Sequence, residues 1–175
     1  MKRIVLTVLS VFCLTFLGVA ADNDTVVLKT SLRGLNEVPP VASQGTGSFE
    51  ATLSPDHTAL NFTLTFNNLN APATVSHIHF AFRKEAGGVV VFLCGPGTSP
   101  AKQPCPSGTS GTVTGTLTAA DIVGPTAQGI NSGDFEKLLK LIDQGGTYVN
   151  VHSTQSPAGE IRGQIRVNDD EDHDR

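Results

Sequence analysis

Residues 59–66, ALNFTLTF, constrain the fold more than any other stretch of the chain. Leu60, Phe62, Leu64 and Phe66 recur at every second position, with Asn61, Thr63 and Thr65 between them. Successive side chains of a strand point to opposite faces, so a period of two marks a half-buried β-strand. Residues 47–53, GSFEATL, alternate in the same way around Phe49, Ala51 and Leu53. The segment Ser54-Pro-Asp-His-Thr58 between them is built of turn formers, so the two runs make a hairpin with His57 exposed at its tip.

The rest of the body repeats this signature. Residues 76–82, 89–93 (VVVFL), 111–117 (GTVTGTL), 147–152 and 161–167 read as further short strands, with Gly, Pro and Asn between them. Many short strands separated by turn residues specify an all-β fold, here a Greek-key β-sandwich or barrel. One or two short helices interrupt it. Thr118-Ala-Ala-Asp121 has the spacing of a capping box and starts one helical turn before Gly124-Pro125. Residues 134–143, DFEKLLKLID, place Phe135, Leu138, Leu139 and Ile142 at helical spacing, and Gly145-Gly146 follows; this helix is expected to pack over a sheet edge.

The ends divide the chain. Met1-Lys2-Arg3 is a basic start, residues 4–19 are almost wholly apolar, and Gly18, Ala20 and Ala21 are small. This is the layout of a secretory signal peptide over residues 1–21, cleaved after Ala20 or Ala21. It predicts an extracellular protein, or a periplasmic one if the source is a Gram-negative bacterium. Cys13 has no small residue before it, which argues against a lipid anchor. Residues 22–167 then form one β domain without a further membrane span, and residues 168–175 an acidic tail read as disordered. The net charge of −4 comes largely from that tail, and the body has no basic stripe of the kind nucleic acid requires. With the leader removed, two cysteines remain, Cys94 and Cys105. In an oxidising compartment the expected outcome is one disulfide closing a Gly- and Pro-rich loop.

Five short motifs, LNEVPPV at 35–41, SHIH at 76–79, GVVV at 88–91, YVNVH at 148–152 and GEIRGQI at 159–165, occur in the order of the CHRD domain, which this chain resembles from about Val26 to Val167. The resemblance implies a secreted β domain without an established catalytic activity, acting as an interaction module for an extracellular macromolecule or matrix component. From the residues themselves, Pro39 and Pro40 donate no backbone hydrogen bond, so residues 37–40 belong to an edge or a crossing loop. Glu160 and Arg162 share one face of their strand and are expected to form a structural ion pair with each other or with neighbouring strands.

His77 and His79 also share a face, opposite Ile78, Phe80 and Phe82. His152 lies opposite Val149 and Val151, beside Tyr148 and Asn150. Two readings follow. In one, the histidines belong to a polar outer face and hydrogen-bond to backbone, Tyr148 or Asn150. In the other, His77, His79 and His152 converge on one metal ion, copper first by the order of affinities for nitrogen donors. The layout is similar, more distantly, to copper–zinc superoxide dismutases, where a His-x-His strand and a later strand histidine match copper-ligand positions. The chain departs from that pattern: no histidine lies between Phe80 and Thr147, and Arg162 falls out of the dismutase spacing. Dismutase activity is therefore not expected, and a bare three-imidazole copper site stays open beside the polar-face reading. Proton competition with free imidazoles predicts that metal affinity falls below about pH 6.

Overall fold

The computed structural model describes residues 25–95 and 102–168. The leader and the acidic residues beyond 168 lie outside them. Nine antiparallel strands form a nearly closed barrel with one short helix. They are β1 (Val27–Arg33), β2 (Thr46–Leu53), β3 (Ala59–Asn67), β4 (Ala73–Phe80), β5 (Val89–Cys94), β6 (Gly111–Thr118), β7 (Thr147–Ser153), β8 (Ile161–Gln164) and β9 (Arg166–Val167). Their spatial order is β5-β4-β7-β8-β1-β2-β3-β6, with β9 paired to β1. Among the described residues no helix is long and apolar enough to cross a membrane.

The hairpin of β2 and β3 follows the sequence pattern. Leu53 pairs with Leu60 across the turn, and His57 at the tip is exposed. Leu60, Phe62, Leu64 and Phe66 are buried in the barrel core with Phe49, while Asn61 and Thr63 face outward. Strand β1, by contrast, has no counterpart in the strands read from the sequence. Leu28 and Leu32 point inward, but Lys29, Ser31 and Arg33 dilute the apolar signal. It is nevertheless central, pairing with β2 on one side and with β8 and β9 on the other.

Two expected strands are cut short. Residues 76–82 do not continue to Phe82. The strand ends at Phe80, whose N–H donates to the Gly88 carbonyl, and the connection between them passes through Lys84 at φ 66°. Residues 161–167 divide at Ile165, whose N–H donates to the Thr147 carbonyl before the chain moves beside β1 as β9. At Gly163 a Cβ would stand 2.5 Å from the Ser31 carbonyl oxygen, so a side chain there would push β8 off β1.

The helical segments separate by length. Residues 119–121 form a single 3₁₀ turn in which the Asp121 carboxylate accepts from the Thr118 N–H at 2.8 Å and hydroxyl at 3.1 Å. Helix α1 (Phe135–Asp143) buries Phe135, Leu138 and Ile142. Gly145, at φ 68°, ends it by donating to the Ile142 carbonyl, a left-handed position that glycine fills without strain.

The seam between the terminal strands β5 and β6 is closed by other means. Cys94, at the end of β5, is bonded to Cys105. Gly95 N–H donates to the Gln103 carbonyl, and Gln103 Nε2 donates to the Thr114 carbonyl of β6. Val123 N–H adds a bond to the Val90 carbonyl on β5. Digestion of the protein without reductant should give one fragment containing both cysteines. Two free thiols would show that the seam is held by hydrogen bonds alone.

Candidate metal centre

Strands β4 and β7 are neighbours, with His77 opposite Asn150, His79 opposite Tyr148 and Val75 opposite His152. His77 and His79 are two residues apart on β4, and His152 is diagonal to His77. All three side chains therefore stand on the outer side of the barrel wall. His77 Nδ1 lies 3.1 Å from His152 Nε2 and 3.3 Å from His79 Nε2. One ligand atom from each ring lies within 4.8 Å of the others.

Each outer imidazole is fixed from behind. His79 Nδ1 donates to the Gly87 carbonyl at 2.9 Å, and His152 Nδ1 to the Pro157 carbonyl at 3.0 Å. A carbonyl oxygen only accepts, so the proton sits on Nδ1 in both rings and each Nε2 keeps its lone pair. Both lone pairs face His77 Nδ1. Backbone carbonyls that fix the tautomer in this way are the usual outer partners of metal-ligating histidines. An ion bound at ~2.0–2.1 Å would hold three such nitrogens about 3.3–3.6 Å apart, close to the two separations from His77 Nδ1, 3.1 and 3.3 Å, within a set that spans at most 4.8 Å.

The polar outer face that carries the histidines is covered by other parts of the chain, and the expected backbone hydrogen bonds are present for His79 and His152. His77, His79 and His152 are only 7–8% exposed, and every residue of β7 is buried. The connections provide the cover. Residues 81–88 reach over His79, residues 154–160 reach over His152, and Glu37 in the crossing loop approaches Asn150. Burial favours the neutral imidazoles. It pushes His77 down to about 3, helped by repulsion from His152 and His79, and pushes His79 down to about 4. His152 is lowered by burial too. The rings are thus neutral at pH 7, the form that binds metal.

Glu160 and Arg162 do not pair with each other. Glu160 precedes β8 and is fully buried, and its Oε1 accepts from Ser43 Oγ and from the Asn70 N–H, both at 2.6 Å. It joins two loops to the base of β8. Arg162 turns the other way. Its guanidinium carbon lies 3.3 Å from the centre of the Tyr148 ring, and its Nη atoms donate to the Glu85 and Phe82 carbonyls at 2.7 and 3.1 Å. On its other face Tyr148 stacks on His79, with centroids 4.8 Å apart and planes at 3°. Arg162, Tyr148 and His79 so form one stack, and of the partners expected for His79 the backbone accepts its hydrogen bond while Tyr148 meets it by stacking.

Glu37 is the residue that the sequence reading missed. It is 6% exposed, and burial raises its carboxyl to about 7 against the attraction of Arg162. Its Oε1 and Asn150 Oδ1 have no hydrogen-bond partner among the described residues. Gly159 makes room for both side chains, since a Cβ there would lie 2.5 Å from Glu37 Oε1 and 2.9 Å from Asn150 Nδ2. Nothing in the local pattern of residues 37–40 signals this long-range contact.

No curated protein matches the chain. The CHRD domain matches residues 28–165, a span that holds the three histidines, the disulfide, Glu160 and Arg162. With that match over most of its length, the chain belongs to the CHRD domain family.

Proposed function

We propose that this CHRD domain protein is a secreted binding protein whose His77, His79 and His152 hold one copper ion, and to which no reaction is assigned. The observation that carries the reading is the convergence of the Nε2 lone pairs of His79 and His152 on His77 Nδ1, with both outer tautomers fixed by backbone carbonyls. On binding, His77 would turn the Nδ1 lone pair inward and carry its proton on Nε2. Three neutral imidazoles favour copper over the other divalent first-row metals, and they leave a coordination position for water or a small ligand. The disulfide is consistent with an oxidising compartment and supports export.

Calorimetric titration of copper into the untagged mature protein and into His79→Ala tests the proposal. One equivalent should bind the native protein near pH 7. The variant should lose more than the ~10–100-fold that removal of an outer-shell partner costs. Equal binding by the two proteins would leave the cluster as a hydrogen-bonded polar patch. The pH limit expected from free imidazoles also shifts. All three imidazoles are lowered by burial, so the proton competition that weakens metal binding should set in at a lower pH than the ~6 expected of free imidazoles.

A further inference from the structure

We propose that the cleft between residues 35–40 and the 82–84 connection docks an acidic, apolar segment of an extracellular protein. This deepens the reading of the chain as a secreted binding module and does not depend on the metal. The cleft encloses about 510 Å³, and its lining includes Leu35, Val38, Arg83, Lys84 and Arg162.

Two independent features coincide there. The exposed large hydrophobic residues of the described chain are Leu35 (75%), Val38 (38%) and Phe82 (50%). Leu35 and Val38 line the cleft. Phe82 directly precedes the cleft residue Arg83, and its carbonyl is bonded to Arg162. Isolated exposed apolar residues need no explanation, but a group of them at one concavity marks a contact surface. The second feature is charge. The chain as a whole carries −4, yet two exposed cationic side chains, Arg83 and Lys84, line this cleft beside the buried Arg162. The ion pairs among the described residues are Lys29–Glu50, Lys102–Asp121 and Lys137–Asp134, so neither Arg83 nor Lys84 is neutralised by a carboxylate. The one carboxyl in the lining, Glu37, is buried.

Cations beside exposed Leu, Val and Phe fit a peptide that alternates Asp or Glu with large apolar residues. A sulfated polysaccharide would satisfy the charges but leave the apolar rim in water. The peptide is therefore the occupant that uses the whole surface.

Selection of a displayed random-peptide library on the metal-free mature protein, followed by fluorescence anisotropy of the enriched peptides, tests this. The enriched sequences should combine Asp or Glu with Leu or Phe. They should lose ~tenfold or more in affinity to Lys84→Glu and to Leu35→Ser, each at an exposed position. Arg83→Glu replaces either variant should it melt early. The proposal fails if no peptide is enriched, if enriched peptides bind the variants as tightly as the native protein, or if only a heparin-like oligosaccharide responds to the charge reversals. Copper titration of the same variants reports separately on the histidine site, so loss of one proposal is distinguishable from loss of the other.

Discussion

Acidifying the metal-free protein from pH 7 to about 4.5 lowers its folding stability by on the order of 2–3 kcal/mol. The sign follows from the histidines. Unfolded, each titrates at 6.5, whereas in the fold burial holds His77 at about 3, His79 at about 4 and His152 below its ordinary value. Above pH 6.5 both states are neutral at these positions and nothing is gained or lost. Below it the unfolded chain takes up protons that the fold refuses, and stability falls until the folded values are reached. Glu37 opposes this. Its carboxyl is at about 7 folded and 4.5 unfolded, so between those values the fold holds a proton that the unfolded chain has released. Across this window His77 and His79 together outweigh Glu37, and the lowered His152 acts in the same direction, which leaves a net loss on acidification. Urea melts across this range should show a midpoint that drops with pH. Glu37→Gln should steepen the drop by removing the opposing group, and His79→Phe should flatten it. A midpoint that stays level from pH 7 to 4.5 would mean that water or protons reach the cluster despite its cover.

Leu64→Ala destabilises the protein by ~2–5 kcal/mol, the cost of a cavity in a packed core plus the lost burial. Leu64 is fully buried, paired with Phe49 of β2 on one side and with Val113 of β6 on the other, so no exposed edge lets the site collapse. Asn61 lies on the same strand but on the outer face, where its Oδ1 accepts from Thr116 Oγ1 at 2.7 Å. Asn61→Ala removes that exposed bond and costs ~1 kcal/mol or less. Equal losses in the two urea melts would place Leu64 outside the core and overturn the register of β3.

Much of the fold is legible because its period is short-range. The alternation of β2 and β3, the helical spacing of Phe135, Leu138 and Ile142, and the capping pair Thr118 and Asp121 are all set by neighbours in sequence. The same rule put His77 and His79 on one face, since residues two apart on a strand share a face by geometry. Strand β1 escaped because its alternation is carried by only two buried leucines among charged and hydroxyl side chains. The strand ends escaped because Phe80 and Ile165 stop or break their strands for reasons of tertiary pairing. Phe80 N–H bonds to the Gly88 carbonyl, and Ile165 N–H to the Thr147 carbonyl.

The sequence by itself determined an all-β chain, its principal hairpin, the face on which each histidine stands and the pairing of Cys94 with Cys105. Each of these depends on residue type and on the two-residue period, or on a count of two thiols. Only the tertiary structure decided what lies above that face. The cover is made by the connections 81–88 and 154–160 and by Glu37, segments whose contacts follow no period. They convert a polar outer surface into a buried cluster, fix two tautomers through the Gly87 and Pro157 carbonyls, and separate Arg162 from Glu160 by drawing the guanidinium onto Tyr148. Burial then sets the protonation of the imidazoles, because taking a charge out of water costs more than the nearby dipoles return. That balance is a property of the assembled barrel and of its covering loops, and no stretch of the chain encodes it alone.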